Sequence, residues 1–258
     1  MKIADTTKLF IKVFRYLFLP FQYPKNFIKI ANWILLKRSL VRELYRLHPH
    51  KAWYRGRGFK TIIDVGANTG SFAFAMRMVF PDAQIYAFEP IPYCYQRLVN
   101  NLDDFGNFKG FQTAIGNQSG IIGFHQSEFS ESSSVLPMGK MHKEAFPYTS
   151  DTQVVQVPIA RLDEFQNLIA IESPTLLKID VQGYEDYVIY GAKNILKKID
   201  WIIMEVSYQP LYDGQILFNE MCSLMVSKGF VYQGSQDTLM SPLDDSILQS
   251  DALFKRKK

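Results

Sequence analysis

From Gly58 onward the chain alternates between two hydrophobic rhythms. Short apolar runs bounded by glycine, proline or an acid predict buried strands. Longer runs with apolar residues every three or four positions predict helices. "KTIIDVG" predicts a strand and "GSFAFAMRMVF" a helix stopped by Pro81. "AQIYAFEP" predicts a second strand. "PYCYQRLVNNLDDFG" predicts a helix opened by Pro92 and closed near Gly106. "FKGFQTAIG" predicts a third strand.

The rhythm then breaks. Two strand-like pieces, 120–127 and 152–160, flank a loop rich in serine, proline and methionine. A loop of that length in a compact domain is usually functional or disordered. Alternation resumes with a strand in "TLLKIDVQG" and a helix in "YEDYVIYGAKNILKK". A strand in "WIIMEVS", a helix near 214–228 and late strands in "GFVYQG" and "DALFKRK" complete the chain.

Repeated βα units imply an α/β fold with a doubly wound, mostly parallel sheet and helices on both faces. Ligands of such sheets sit beyond the carboxyl ends of the strands. Those ends are 64–70, Glu89, 114–116, 180–183 and 205–207. Four of the five carry an acid: Asp64, Glu89, Asp180 and Glu205.

The first of these ends reads Gly66-Ala-Asn-Thr-Gly70. Glycine suits a turn that takes unusual φ or approaches a ligand closely. A dinucleotide fingerprint would place a third glycine where Asn68 stands, and no phosphate-loop Lys-Ser/Thr follows. Pyrophosphate is therefore poorly served. Glu89, nineteen residues after Gly70, suits a bidentate hydrogen bond to ribose hydroxyls. A nucleoside without phosphates fits both observations, and S-adenosylmethionine is such a ligand.

Taken in order, "IDVGANTGSFA", "YAFEP", "TAIGNQSG", "ARLDEF", "LLKIDVQGYEDYVIYGA" and "IIMEVS" resemble the FkbM family of S-adenosylmethionine-dependent methyltransferases. The resemblance covers roughly 60–257. It implies a class I, Rossmann-like methyltransferase sheet whose last strand is antiparallel. It also implies O-methylation of a hydroxyl on a sugar or polyketide. By motif position, Asp64, Gly66, Ala67, Asn68 and Gly70 fall around the methionine part. Glu89 and Pro90 fall at the ribose, and Ala114 and Ile115 at the adenine edge. The family commonly reads D-V-E-G-x-E where this chain has Asp180-Val-Gln182-Gly183-Tyr-Glu185.

Methyl transfer to a hydroxyl needs alignment and a nearby base. Asp180 is the candidate cofactor-proximal or basic residue, and Glu205 the candidate acid on the substrate side. Capping and strand-end hydrogen bonding are the structural alternative for both. His125 and His142, in or beside the long loop, are alternative bases. Ser132 and Ser133 within "ESSSV", with Gln182 and His125, are candidate acceptor contacts. Glu185 reads as structural. No spacing of His, Cys and acids suggests a metal.

Charge changes the picture at the front of the chain. Residues 1–60 hold fourteen Lys and Arg against Asp5 and Glu43, a net of +12, which leaves −8 on the remainder. This segment, taken as 1–58, is also aromatic and apolar. Lys12, Arg15, Pro20 and Lys25 interrupt it, so no run approaches the ~20 residues that span a bilayer. No secretory signal is evident. Basic amphipathic helices lying on an anionic membrane are the functional reading of it. A helical cap docked on the 59–258 domain is the structural one. No nucleic-acid motif accompanies the bases.

Cys94 and Cys222 are isolated thiols, which suggests a reducing compartment. The cytoplasm, at the inner face of the membrane if the front end docks, is the expected location. The expected function is S-adenosylmethionine-dependent O-methylation of a sugar hydroxyl in a glycan, glycolipid or related natural product. A nicotinamide oxidoreductase and a non-catalytic binding module are the rival readings on the same fold.

Overall fold

The computed structural model describes residues 50–257. Residues 1–49 lie outside them, and with these the expectation of a membrane-surface segment. Among the described residues no helix is long and apolar enough to cross a membrane.

The strands are β1 (Thr61–Val65), β2 (Gln84–Phe88), β3 (Phe108–Phe111), β4 (Ala114–Ile115), β5 (Gly120–Ser127), β6 (Thr152–Ala160), β7 (Thr175–Ile179), β8 (Trp201–Ser207), β9 (Phe230–Met240) and β10 (Ile247–Arg256). The helices are α1 (Lys51–Arg55), α2 (Ser71–Val79), α3 (Pro92–Leu102), α4 (Lys140–Ala145), α5 (Glu185–Tyr190) and α6 (Phe218–Ser227). Seven strands form the main sheet in the order β3-β2-β1-β7-β8-β10-β9. β3, β2, β1, β7 and β8 run parallel, whereas β10 is antiparallel to both β8 and β9. This is a doubly wound, Rossmann-like sheet with the antiparallel late strand that the resemblance implies. Strand order reverses between β1 and β7, which puts the ligand crevice beyond their carboxyl ends.

β1 and β7 are buried at every residue, as continuous apolar runs require in a sheet covered on both faces. One face packs Ile62, Ile85 and Leu176 against α2 and α3. The other packs Ile63, Leu177 and Ile202 against α5, α6 and their loops. The described end of the front segment docks on the first face. Tyr54 is buried and donates to Gln236 Oε1 at 3.0 Å. Trp53 meets Trp201 edge-to-face at 5.1 Å, and the Arg57 guanidinium lies 4.4 Å from the Trp201 ring centre.

A second sheet, β4-β6-β5, stands over the carboxyl ends of the main strands. β5 and β6 are the strand-like pieces at 120–127 and 152–160, paired antiparallel. Between them lie α4 and the serine-rich loop.

Four elements differ from the pattern reading. The run 108–116 is two strands. β3 ends at Phe111, stacked on Phe88, while β4 pairs with β6 in the second sheet. Both pieces are apolar because Phe111 and Ile115 pack into one core although their strands join different sheets. The helix expected over 184–198 stops at Gly191, whose α-carbon crosses the carbonyl oxygen of Gly116 too closely for any side chain. A fresh 3₁₀ turn follows at Ile195–Lys198, where the Asp163 carboxylate accepts the Asn194 and Ile195 N–H groups at 2.9 Å. The helix near 214–228 starts only at Phe218, because Gln215 Oε1 folds back to accept the Leu211 N–H. The two late strands are longer than expected and form one hairpin.

Candidate active site

The turn after β1 is built from left-handed backbone. Gly66 has φ 80°, Asn68 φ 49° and Gly70 φ 85°. The Gly66 and Ala67 N–H groups donate to Phe88 O, each at 3.0 Å, which ties the turn to β2. Asn68 tolerates its conformation because its Oδ1 accepts the Thr69 N–H at 2.7 Å. Gly66, Ala67 and Asn68 line a cavity of about 540 Å³ beyond the sheet. Gly70 does not line it: this glycine lets Leu98 of α3 pack against α2. Asp64 lies fully buried beneath the cavity floor, 4.0 Å from the Lys178 ammonium.

Glu89 lines the cavity at the end of β2, followed by Pro90. Its Oε2 accepts the Asn68 N–H and its Oε1 the Ile91 N–H, both at 2.8 Å. Burial raises its pKa to about 7 against the pull of these two donors. Ala114 and Ile115 of β4 line the wall, along with Phe124 and Tyr184.

The ends of β7 and β8 supply a joined pair of carboxylates. Asp180 Oδ2 accepts from Lys178 Nζ at 2.8 Å, and Asp180 Oδ1 from Gln182 Nε2 at 2.9 Å. The same Gln182 nitrogen donates to Glu205 Oε2 at 2.8 Å. Gln249 Nε2 reaches that Glu205 oxygen at 2.8 Å as well. Burial raises the Glu205 pKa well above its ordinary value, and the nearby charges of Asp180, Glu185 and Asp251 add to the rise. Burial alone would discharge Lys178, but Asp180 and Asp64 outweigh it and its pKa rises. Glu185 stands behind this pair with a structural task. Its Oε1 accepts the Val181 and Gly183 N–H groups at 3.1 and 3.2 Å, fixing the turn that holds Gln182 at φ 56°.

The second sheet closes the cavity. Ser130 Oγ accepts from Asn68 Nδ2 at 3.1 Å. Ser134 Oγ donates to the Gln182 carbonyl at 2.7 Å. Tyr212 OH lies 2.9 Å from Gln182 Oε1 and 3.1 Å from Ser132 O, so one hydroxyl braces both walls. Ser132 and Ser133 line the cavity, though the Ser133 hydroxyl is taken by the Ser127 N–H. Gln182 lines it too, with its amide engaged on the two acids and on Tyr212. His125 does not line it; its backbone pairs with Ser134. His142 does, buried edge-on between Phe146 and Tyr212, and burial lowers its pKa to about 4. Among the described residues no group of three or more His, Cys or acidic side chains is arranged to hold a metal ion.

Three contributors escape a pattern reading. Lys178 had a visible signal, a lone ammonium inside the buried run "TLLKID". Tyr212 and Gln249 had none, because their roles depend on loops and strands far away in sequence.

A family model described as the methyltransferase FkbM domain matches residues 64–232. The 2-O-methyltransferase NoeI of Sinorhizobium fredii is 33% identical over 179 residues, 67% of this chain and 73% of its own. Methyltransferase sdnD of Sordaria araneosa is 30% identical, over 51% of this chain and 60% of its own. The hexuronic acid methyltransferase AglP of Haloferax volcanii is 27% identical, over 55% of this chain and 54% of its own.

Proposed function

Because the chain belongs to the FkbM methyltransferase family, we propose that it moves a methyl group from S-adenosylmethionine to a sugar hydroxyl of a glycan, glycolipid or related natural product. One observation carries this reading. A single cavity is lined by both the Glu89 carboxylate and the Asp180–Glu205 pair. The cavity fits the cofactor. Glu89 takes the ribose hydroxyls, and the close backbone at Gly66 to Asn68 takes the amino-acid end. Ala114 and Ile115 border the adenine. The acids suit a sulfonium cation better than a pyrophosphate, whose charge would meet the Asp180 carboxylate and two further acids able to ionise, Glu89 and Glu205.

The acceptor enters beside the segment between β5 and β6, where Ser132, Ser133, Phe129 and Tyr148 line the cavity. Hydroxyls and aromatic faces together suit a sugar. Two of the relatives support this class, one a 2-O-methyltransferase and one a hexuronic acid methyltransferase by name. The basic front end would hold the protein at an anionic membrane surface, where lipid-linked acceptors reside. Sedimentation with phosphatidylglycerol vesicles, with and without residues 1–49, tests that part.

Calorimetric titration with S-adenosylhomocysteine and with NAD tests the cofactor. Binding of the first and not the second is expected. Glu89→Ala should weaken it by about 100-fold, the worth of one or two charge-assisted hydrogen bonds. Trideuteromethyl-labelled cofactor, offered with methyl glycosides, uronic acids and lipid-linked saccharides, then identifies the acceptor by mass. Label appearing on no saccharide while appearing on another hydroxyl compound would overturn the sugar assignment.

A further inference from the structure

The two carboxylates at the ends of β7 and β8 are not equivalent. Resting on the methyl-transfer reading above, we infer that Glu205 is the group that accepts the hydroxyl proton, while Asp180 remains an anion throughout. The hydrogen bonds make this division. Both oxygens of Asp180 are occupied, Oδ2 by the Lys178 ammonium at 2.8 Å and Oδ1 by the Gln182 amide at 2.9 Å. A carboxylate held by a cation and an amide donor is stabilised in its charged form. Glu205 differs. Both its amide donors, from Gln182 and Gln249, converge on Oε2. Its other oxygen, Oε1, receives no hydrogen bond from any described residue, and Glu205 lines the cavity.

The surrounding charges agree. Asp180 faces Glu205 from the end of β7 and Glu185 from the start of α5. Asp251 lies opposite it in register on β10. Tyr212 reaches the same Gln182 amide from the loop after β8. Lys178 is the opposing cation, and its nearest carboxylate is Asp180, not Glu205. Burial and three acidic neighbours thus give the Glu205 carboxylate the higher proton affinity of the pair, so it serves as a base once pH exceeds its raised pKa. His142, the other base lining the cavity, is poorer, because its aromatic surroundings resist the imidazolium it would have to form.

Bound S-adenosylmethionine supplies an electrophilic methyl, whose transfer to a hydroxyl oxygen leaves a neutral thioether and frees the hydroxyl proton. Glu205 Oε1 forms a bond to that proton as the acceptor's O–H bond breaks. The neutral acid returns the proton to water after product departs, and the carboxylate is restored. Gln182 and Gln249 act as positioning residues, since each turns Oε1 toward the cavity by holding Oε2.

The test reads protonation directly in the full-length protein. Carbon-13 carboxyl resonances of Asp and Glu are followed against pH, alone and with S-adenosylhomocysteine. Glu205→Gln and Glu205→Asp assign Glu205, and Asp180→Asn assigns Asp180. Glu205 should titrate well above the ordinary carboxylate range, and Asp180 should remain ionised where Glu205 takes up its proton. Glu205→Gln should bind S-adenosylhomocysteine within about threefold of the parent, yet lose methyl transfer by about 100-fold or more. An ordinary titration for Glu205, or a parental rate in Glu205→Gln, would overturn the inference. Absence of S-adenosylhomocysteine binding in the parent would instead reject the cofactor reading, and the titration order would still be measured.

Discussion

Gly66, at the end of β1, presses its α-carbon against the carbonyl oxygen of Asp180, at the end of β7, with no room for a side chain between them. The two central strands therefore meet backbone to backbone at the switch in strand order. Gly66 also has φ 80°, which L side chains rarely adopt. Gly66→Ala should cost about 2–4 kcal/mol, from the clash and the strained φ together. That corresponds to a fall in Tm of about 5–15 °C for a chain of this size. Gly214→Ala is the control. Gly214 has φ 84° but open space around it, so that substitution should cost only about 1 kcal/mol. Scanning calorimetry of both variants separates clash from strain.

Cofactor binding should release protons near neutral pH. Free Glu89 has a pKa of about 7, raised by burial. Ribose hydroxyls donate to the carboxylate and so favour its charged form. Binding then lowers the Glu89 pKa and expels up to one proton. S-adenosylhomocysteine affinity should therefore fall as pH drops below about 7 and level off above it. Titrations in buffers of different ionisation enthalpy measure the release, and Glu89→Gln should abolish it.

Much of this was legible in sequence, for identifiable reasons. Parallel strands buried on both faces give continuous apolar runs, so β1, β2, β7 and β8 are readable one by one. Their carboxyl ends follow from direction alone, which is why Glu89, Asp180 and Glu205 could be named and do line one cavity. Other features belong to three-dimensional packing. Gly70 shares the glycine of the turn with Gly66, yet its neighbour is Leu98, a residue of another helix. The 108–116 run carries no mark of its division, because Phe111 and Ile115 are equally apolar and pack into the same core from strands of different sheets. The brace from Tyr212 to Gln182 joins residues thirty apart.

Glu185 offers a prediction about stability. Its pKa is raised to about 7, chiefly by burial, with the Val181 and Gly183 N–H groups opposing. A raised folded-state value means the folded protein binds more protons than the unfolded chain between the ordinary carboxylate value and about 7. Stability from this group is complete at the acidic end and is lost as pH rises through 7. Glu185→Gln keeps an oxygen for the two N–H groups without the charge. The variant should match the parent near pH 5 and exceed it by on the order of 2–3 kcal/mol at pH 8. Urea unfolding at the two pH values checks the sign, and an equal change at both would refute it.

Gln182 is where this chain departs from the D-V-E-G-x-E pattern, and its amide stands between two acids. Both its bonds to Asp180 and Glu205 use Nε2, while Oε1 faces the Tyr212 hydroxyl. Gln182→Glu would keep the shape and the Tyr212 contact. It would also replace a donor with an oxygen facing two carboxylates. Such an arrangement retains a proton to higher pH, since like charges a few ångströms apart resist joint ionisation. Glu205 would then need a higher pH to become a base. The acidic limb of the methyl-transfer rate should move up by about one pH unit or more, while the rate at high pH stays near parental. Gln182→Leu should behave differently. It removes the donor without adding charge, leaves Asp180 and Glu205 less fixed, and should lower the rate across the whole pH range. A Gln182→Glu profile that overlays the parent would show that the amide does not govern the ionisation of the pair.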